Sequence, residues 1–580
     1  MLILDILDKL LNFETKKEKK VWYDLYGNDI ETHLDYPKGS MYDAFKASAE
    51  KYSDAKAYEY YGTKVNYKKL LEQVEECAKG LKQVGVGRKD RVTICMPNTP
   101  EAVIMFYAVN KIGATSNMIH PLSSEKEIEY YLNKSNSKYL LSLDMCYPKI
   151  EKIIEKTKVE KVVIAKISDS FPLYLKLIYP LISKKTKITY DNKIIKWKTL
   201  IKEGKKFDGT TYAKMVSSDE AAILYSGGTT GDPKGIVLSN LNFNALAVQC
   251  FTMTDAKPKE TVLTIMPIFH GFGLGVCVHT ELVNGMKIVL IPQFKASEFA
   301  KLIKKHKPAF IVGVPTMYEA LISSKEKSKK YMSSVYNVIC GGDVLNESLQ
   351  KRVDAYLKEH GSSANIRVGY GLTESASACC LTPRFYYKEG GIGIPFPDME
   401  IKVFEPGTDK ECKPLERGEI CVIGPTVMRG YLDDEKETKK KLIKHKDGKF
   451  WLHTEDIGYM DEQGLIFFES RLKRMIVSSG YNVYPQYIEK IIGSHPAVHT
   501  CAVIGIPHPY KHEVPKAYIV LKDNFKLDDN LKKDIKDYTK KSVSAYAMPK
   551  EFEYVKDLPK TLVGKVAYTK LGKETKKKKA

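Results

Sequence analysis

Between Met41 and Lys473, short continuous apolar runs alternate with stretches whose apolar residues recur at helical spacing. Arg91–Met96, Ala221–Tyr225, Val262–Met266, Lys287–Ile291, Ala309–Val312, Val335–Cys340 and Ile366–Val368 read as strands buried on both faces. Asn346–His360 reads as a helix, with Asn346 able to cap its start and Gly361 just past its end. This rhythm predicts an α/β fold of mainly parallel sheet with helices packed on its faces. Beyond Glu400 the strands Ile401–Phe404, Glu419–Ile423 and Leu465–Phe468 come with tighter turns and no helix between them, which predicts a small antiparallel subdomain. After Arg474 a new unit begins: helix Pro485–Ile492, strands Thr500–Ile504 and Pro515–Leu521, helix Asp529–Lys540 and strand Glu551–Val555, enough for a small α+β domain. The tail Lys573–Ala580 (KETKKKKA) is too charged to pack and is expected to be disordered.

Composition sharpens this picture. A length of 580 residues suggests roughly three or four structural units. With 43% hydrophobic and 28% charged residues, wholesale disorder and a collagen-like fibre are excluded. The 11 cysteines are odd in number and form no C-x-x-C pair, against a disulfide framework and a zinc ribbon and in favour of a reducing, cytoplasmic setting. Lys+Arg 92 against Asp+Glu 71 leaves +21, yet only nine of the basic residues are arginine and the lysines run along the whole chain. A nucleic-acid partner is not expected from that distribution. Two apolar runs qualify the surface. Met1–Phe13 carries Asp5 and Asp8 and is too short to span a bilayer. Phe171–Ser183 is interrupted by Pro172, Lys176 and Pro180 and followed by Lys184 and Lys185. Each either packs against the fold or rests in a lipid interface, on the inner face of a membrane; packing is the expectation for each taken alone.

The stretch richest in chemistry is Tyr225–Gly235, YSGGTTGDPKG, followed by IVLSN. It is expected where a strand ends and a helix capped by Ser239 begins. Gly227, Gly228 and Gly231 free the backbone to approach a ligand, while Ser226, Thr229 and Thr230 add hydroxyls and Lys234 a positive charge. Backbone N–H groups, hydroxyls and an ammonium together make an anion cradle. In a Walker A loop the lysine follows glycine directly, whereas Asp232 and Pro233 intervene here.

This segment resembles the phosphate-binding signature of the adenylate-forming superfamily, which includes acyl-CoA synthetases, firefly luciferase and peptide-synthetase adenylation domains. Further segments resemble that superfamily's motifs in the right order over roughly residues 40 to 570. They are MPIFHGFG (Met266–Gly273), GGD (Gly341–Asp343), YGLTES (Tyr370–Ser375), GEICVIGPTVMRGY (Gly418–Tyr431), WLHTEDIGYMDEQG (Trp451–Gly464), SRLKRMIVSSGYNVYP (Ser470–Pro485) and PKTLVGK (Pro559–Lys565). The resemblance implies roles residue by residue. Gly341, Gly342, Asp343, Tyr370, Gly371 and Thr373 would surround adenine and ribose; Asp456 would accept the ribose hydroxyls, with Arg471 as its partner. Glu374 and Thr230 would hold Mg²⁺, a cation that takes oxygen ligands. Lys565 would stabilise charge at the α-phosphate, and Lys473 would be the hinge of a mobile small domain. Ser479, Gly480 and Tyr481 would face a CoA tunnel, while Phe269, His270, Val314 and Pro315 would line an acyl pocket. Departures from the family pattern are Ser226-Gly227-Gly228 for T-S-G, Glu455 for the glycine of T-G-D, Ser470 before Arg471, Gln486-Tyr487 within P-x-E-I-E, and Tyr568 where a basic residue is usual.

The resemblance implies an ATP-dependent acyl-CoA synthetase that forms an acyl adenylate, releases pyrophosphate and transfers the acyl group to CoA. His270 among Phe269, Phe272 and Leu274 favours an apolar acid over an amino acid, whose ammonium would be costly to desolvate there. A medium- to long-chain fatty acid is the expected substrate. An aryl acid, a carrier-protein acceptor and a luciferase-type oxygenase are the alternatives. A catalytically inactive lipid-binding protein would be expected to lack Lys565, Glu374 or Thr230, and all three are present. The implied division is an extension over 1–40, a large domain over 41–472, a small one over 473–572 and the tail 573–580.

Overall fold

In a computed structural model, the described residues are 19–27, 30–183, 186–226, 233–326, 328–474, 476–478, 481–483, 485–508, 512–543, 547–560, 566–568 and 570–572, with backbone alone at 473, 477, 481, 482 and 512. They form three sheets. In the first, the parallel strands Arg91–Cys95, Thr115–Met118, Tyr139–Leu143, Lys161–Ala165, Ile194–Lys196 and Glu220–Ser226 are joined through helices, as sequence alternation requires. Helix Pro100–Lys111 is buried along its whole length, which explains its near-continuous apolar sequence.

The second sheet has a parallel half: Lys56–Tyr60, Lys287–Leu290, Thr261–Thr264, Phe310–Gly313, Asn337–Gly341 and Ile366–Tyr370. The helix following Asn337–Gly341 spans Glu347–Glu359; Asn346 accepts a hydrogen bond from the Leu349 N–H, and Gly361 adopts φ +88° beyond its end.

The structure refines three expectations. The strands beyond Glu400 form the expected antiparallel unit, which is joined through Cys380–Leu381 and Gly391–Pro395 to the edge of the same sheet. A helix, Glu435–Lys441, also lies among them; Asp434 caps it, Glu435 and Glu437 occupy its first turn and lysines its last, so charge complementing the helix dipole forms it without an apolar stripe. The glycine-rich loop does not lead straight into a helix either. It joins Glu220–Ser226 to an antiparallel strand, Lys234–Ser239, whose Ile236-Val237 favours extension, and only then does Ser239 cap helix Asn240–Thr254. The third concerns the run at 171–183: Phe171 is buried, but helix Leu173–Ile182 buries none of its residues.

The two large sheets are tied together beside the glycine-rich loop. Gly430–Tyr431, from the chain of the second sheet, pairs with Ile236–Val237 of the first. The third sheet comprises Ile476–Ser478, Tyr481–Val483, Val498–His508, His512–Leu521 and Glu551–Tyr554, with helices Pro485–Gly493 and Asp529–Ser542 and a core around Ile488, Ile519 and Ile535.

Candidate active site

Ligands of open α/β sheets bind beyond the carboxyl ends of parallel strands, where the chain leaves the sheet. Asn337–Gly341 and Ile366–Tyr370 are adjacent parallel strands that end together, and residues of several quoted motifs meet there.

The charged side is built by Tyr370, Glu374, Tyr431, Asp456 and Arg471. The pairing of Phe450–Met460 with Ile466–Arg471 sets Asp456 opposite Arg471. Asp456 is 4% exposed; its Oδ2 accepts a hydrogen bond from the Tyr370 hydroxyl at 2.7 Å. Its Oδ1 lies 3.4 Å from Arg471 Nε and makes no hydrogen bond among the described residues. Burial pushes this carboxyl above its ordinary range, and Arg471 and Tyr370 pull it back. A buried carboxylate oxygen without a full hydrogen bond is costly, which makes this Oδ1 a candidate acceptor for a ligand hydroxyl. Glu374 sits in the turn Thr373–Ser375, whose Thr373 is buried, directly after Gly371. A Cβ on Gly371 would stand 2.4 Å from the Ser377 carbonyl oxygen, so glycine is required for the turn to close. Glu374 Oε1 accepts from the Tyr431 hydroxyl at 2.9 Å. A carboxylate offers only oxygen acceptors, which suits a hard divalent cation.

Ser226 and Lys234 pair across the hairpin that frames the glycine-rich loop. Lys234 lies over the Tyr431 ring, 5.1 Å from its centroid, and is ion-paired with Glu437. Hydrogen bonds from Lys234 and Lys440 hold the Glu437 carboxyl down at about 2.

The apolar side is shaped by glycines. His270 and Gly271 lead into a π-helix, Phe272–His279, a wide turn type often found at functional sites. A Cβ on Gly273 would lie 2.1 Å from the Pro267 carbonyl oxygen, and one on Gly271 would lie 2.0 Å from Ser377 Oγ. The π-helix therefore presses against the loop that carries Glu374. The Phe272 ring approaches to 3.3 Å of where a Gly341 Cβ would be, and Val314 to 3.6 Å of the Gly342 position. Gly342 has φ +76°, and the Asp343 side chain closes the turn by accepting from the Val344 N–H at 2.9 Å. Val314 precedes Pro315, the first residue of helix Pro315–Ile322. His270 Nδ1 accepts from the Phe272 N–H at 3.3 Å, and Phe269 packs on His120, ring centroids 4.2 Å apart.

Gly227, Gly228, Thr229, Thr230, Gly231, Ser479, Gly480 and Lys565 lie outside the described residues, as do the side chains of Lys473 and Tyr481. A strand bridge, Lys560–Val566, brackets the segment containing Lys565. Tyr568, the departure from a basic residue, stacks with the Arg474 guanidinium 3.5 Å above its ring, and Arg474 bonds Glu489 Oε1 at 2.6 Å. The end of the chain is thus fastened to the residues just after 473.

Sequence reasoning missed His120, Glu437 and Glu419. Glu419 is buried behind the turn that carries Asp456; Oε1 accepts from the Glu455 N–H at 2.8 Å and Oε2 is 2.8 Å from His453 Nδ1. Thr454 Oγ1 donates to the Ile420 carbonyl and accepts from the Asp456 N–H. Glu455 takes φ +60°, the left-handed conformation that the glycine usual there adopts freely. The substitution at 455 was the available signal: a non-glycine residue at that position needs an external anchor.

The AMP-binding enzyme model matches residues 45–432, and that of the AMP-binding enzyme C-terminal domain matches residues 487–565. The chain belongs to the AMP-binding enzyme family. It is 32% identical over 567 residues to the long-chain-fatty-acid–CoA ligase of Bacillus subtilis (strain 168), covering 96% of this chain and 98% of that one. A probable 4-coumarate–CoA ligase 3 of Dictyostelium discoideum is 30% identical over 505 residues, 86% of this chain and 88% of that one. Among solved structures, a long-chain-fatty-acid–CoA ligase from Archaeoglobus fulgidus superimposes with a TM-score of 0.67 at 26% identity, covering 90% of this chain and 98% of that one.

Proposed function

We propose that this family member is an AMP-forming acid–thiol ligase that joins a long-chain fatty acid to CoA. The observation that carries the reading is the half-satisfied Asp456, buried against Tyr370 with Oδ1 open beside the glycine-lined ends of Asn337–Gly341 and Ile366–Tyr370. An ionised carboxylate there accepts a ribose hydroxyl. The similarity to fatty-acid–CoA ligases over nearly the full chain supports the acid.

In the first half-reaction a carboxylate oxygen attacks the α-phosphorus of ATP; the bond to the β-phosphate breaks and pyrophosphate leaves with its electron pair. In the second, the CoA thiolate attacks the acyl carbonyl and AMP departs. Lys234 and the glycine-rich segment hold phosphate oxygens, and Lys565 supplies positive charge where it develops at the α-phosphate. Glu374 and Thr230 would hold Mg²⁺, which would offset negative charge on the phosphates. Tyr431 orients Glu374 by donating to Oε1. Phe269, His270, Val314 and Pro315 line the acyl side, Ser479–Tyr481 the CoA side, and Lys473 is the hinge between a large domain over 41–472 and a small one over 473–572. Described cysteines are all free thiols, which suits a cytoplasmic enzyme.

Pyrophosphate release from octanoate, dodecanoate, hexadecanoate, coumarate and leucine, with and without CoA, tests the reading. Rates should climb with chain length until the pocket fills, since each buried methylene adds about 0.8 kcal/mol. Coumarate ahead of every fatty acid would move the protein to aryl acids. Leucine ahead of all, with no dependence on CoA, would refute the proposal.

A further inference from the structure

Helix Leu173–Ile182 (LYLKLIYPLI) carries one charged residue in ten, yet none of its side chains is buried. Leu173, Leu177, Leu181 and Ile182 are 74%, 71%, 83% and 76% exposed, and Tyr174 and Ile178 are exposed as well. At 100° per residue these six fall on one continuous half of the helix. On the other side Leu175 and Tyr179 pack against the body of the protein. Tyr179 meets Phe171 edge-on at 5.3 Å, and Phe171 meets Tyr61 at 4.6 Å and Tyr60 at 5.9 Å. The helix is therefore held in place by a narrow apolar edge while its broad apolar face points outward. Contiguous exposed surface of this kind marks a contact site. Among the described residues no helix is long and apolar enough to cross a membrane.

Charge selects the occupant. Residues 161–206 contain twelve lysines against Asp169, Asp191 and Glu203, so nearly half of the net charge of +21 falls in a short segment around this helix. Lys166, Lys187, Lys198 and Lys202 are exposed there, and only Lys198 among these four makes an ion pair, with Asp169 at 3.6 Å. A second copy of this chain, docking the same patch on itself, would bring lysines against lysines. An anionic surface would instead be attracted.

We propose that helix Leu173–Ile182 docks the protein on anionic lipid bilayers, its six exposed apolar side chains entering the boundary between headgroups and acyl chains while the surrounding lysines meet the phosphates. The physiological use of such docking rests on the fatty-acid reading, because a long-chain acid partitions into bilayers; the docking itself does not.

The test is co-sedimentation of the full-length protein with vesicles of phosphatidylcholine alone or with about one-third phosphatidylglycerol, together with light scattering in lipid-free buffer. Wild type should prefer the anionic vesicles and lose most of that binding when salt rises from about 0.1 to 0.5 M. The double variant Leu177→Glu with Leu181→Glu should bind anionic vesicles at least about tenfold more weakly. Its thermal unfolding midpoint should stay at the wild-type value, since neither side chain is buried. Ile178→Ser with Ile182→Ser should give a smaller loss in the same direction. The proposal is overturned if wild type ignores anionic vesicles, if both double variants bind as wild type does, or if they merely convert a dimer to a monomer without changing vesicle binding. It is equally overturned if deleting residues 2–13, and not altering the helix, abolishes binding. A protein that binds vesicles through the helix but activates no fatty acid would leave this proposal standing and remove the functional one.

Discussion

The nucleotide side and the acyl side of the candidate site are made by opposite means. Around Asp456 and Glu374 the chain supplies charged and hydroxyl groups with partners already in place: Tyr370 on one carboxylate, Tyr431 on the other, Arg471 alongside. Around His270 it supplies missing side chains, with Gly271, Gly273, Gly341 and Gly342 letting backbone and the Phe272 ring come close. On the proposed function, charge on the first side acts on the nucleotide, whereas shape on the second decides which acid fits. Substitutions on the first side should therefore alter chemistry, and on the second side packing.

The largest effect is expected at Lys565. Its replacement by Ala should slow acyl-adenylate formation by about 10²–10³ while sparing thioester formation from supplied adenylate. Pyrophosphate exchange and CoA-transfer assays read the two halves separately; equal losses would place Lys565 outside the first step. Next come the glycines. Gly273→Ala drives a methyl group into the Pro267 carbonyl and should cost about 1–3 kcal/mol of stability. Gly342→Ala has room beside Val314 and only the cost of φ +76°, about 1 kcal/mol. Denaturant midpoints rank the two, and the reverse order would undermine the close-packed picture of the acyl side.

A subtler outcome is expected at Glu419, which acts through the turn carrying Asp456. Glu419→Ala should raise the KM for ATP about tenfold, in line with a hydrogen bond to a charged group, and should shrink the preference for ATP over 3′-deoxy-ATP. A lower kcat with that preference intact would reduce Glu419 to a structural residue. The smallest effect is in pH dependence. Burial raises the Asp456 carboxyl and Arg471 opposes the rise. Removing that cation in Arg471→Gln raises the carboxyl further, so Asp456 takes up its proton at higher pH and the acid limb of kcat/KM for ATP moves upward. A limb that stays still, or moves down, separates Asp456 from ATP binding.

Much of the fold was legible because buried parallel strands write themselves as apolar runs, and the helix after Asn346 was bounded by its own cap and glycine. The antiparallel extension was harder: helix Glu435–Lys441 has charge order rather than an apolar stripe, and strand Lys234–Ser239 is too short to separate from the helix behind it. At the site, motif carboxylates such as Asp456 and Glu374 were readable, while Glu419 was not, because its work is to hold the Glu455 N–H in a conformation only coordinates reveal. The apolar run at 171–183 left two readings open for a physical reason. Periodicity says that a face is greasy, not what will cover it.

The pairing of Lys234 with Glu437 has a consequence for competition in a crowded cell. Because Glu437 stays ionised down to about pH 2, the lysine beside the glycine-rich hairpin carries a tethered counter-ion at every physiological pH. An anion that reaches this ammonium meets a carboxylate already drawing on its hydrogens, so binding there is an exchange among partners rather than the filling of an empty site. The exchange would take place beside the seam between the two sheets, because Glu437 lies in the first turn of helix Glu435–Lys441, a few residues after Gly430–Tyr431.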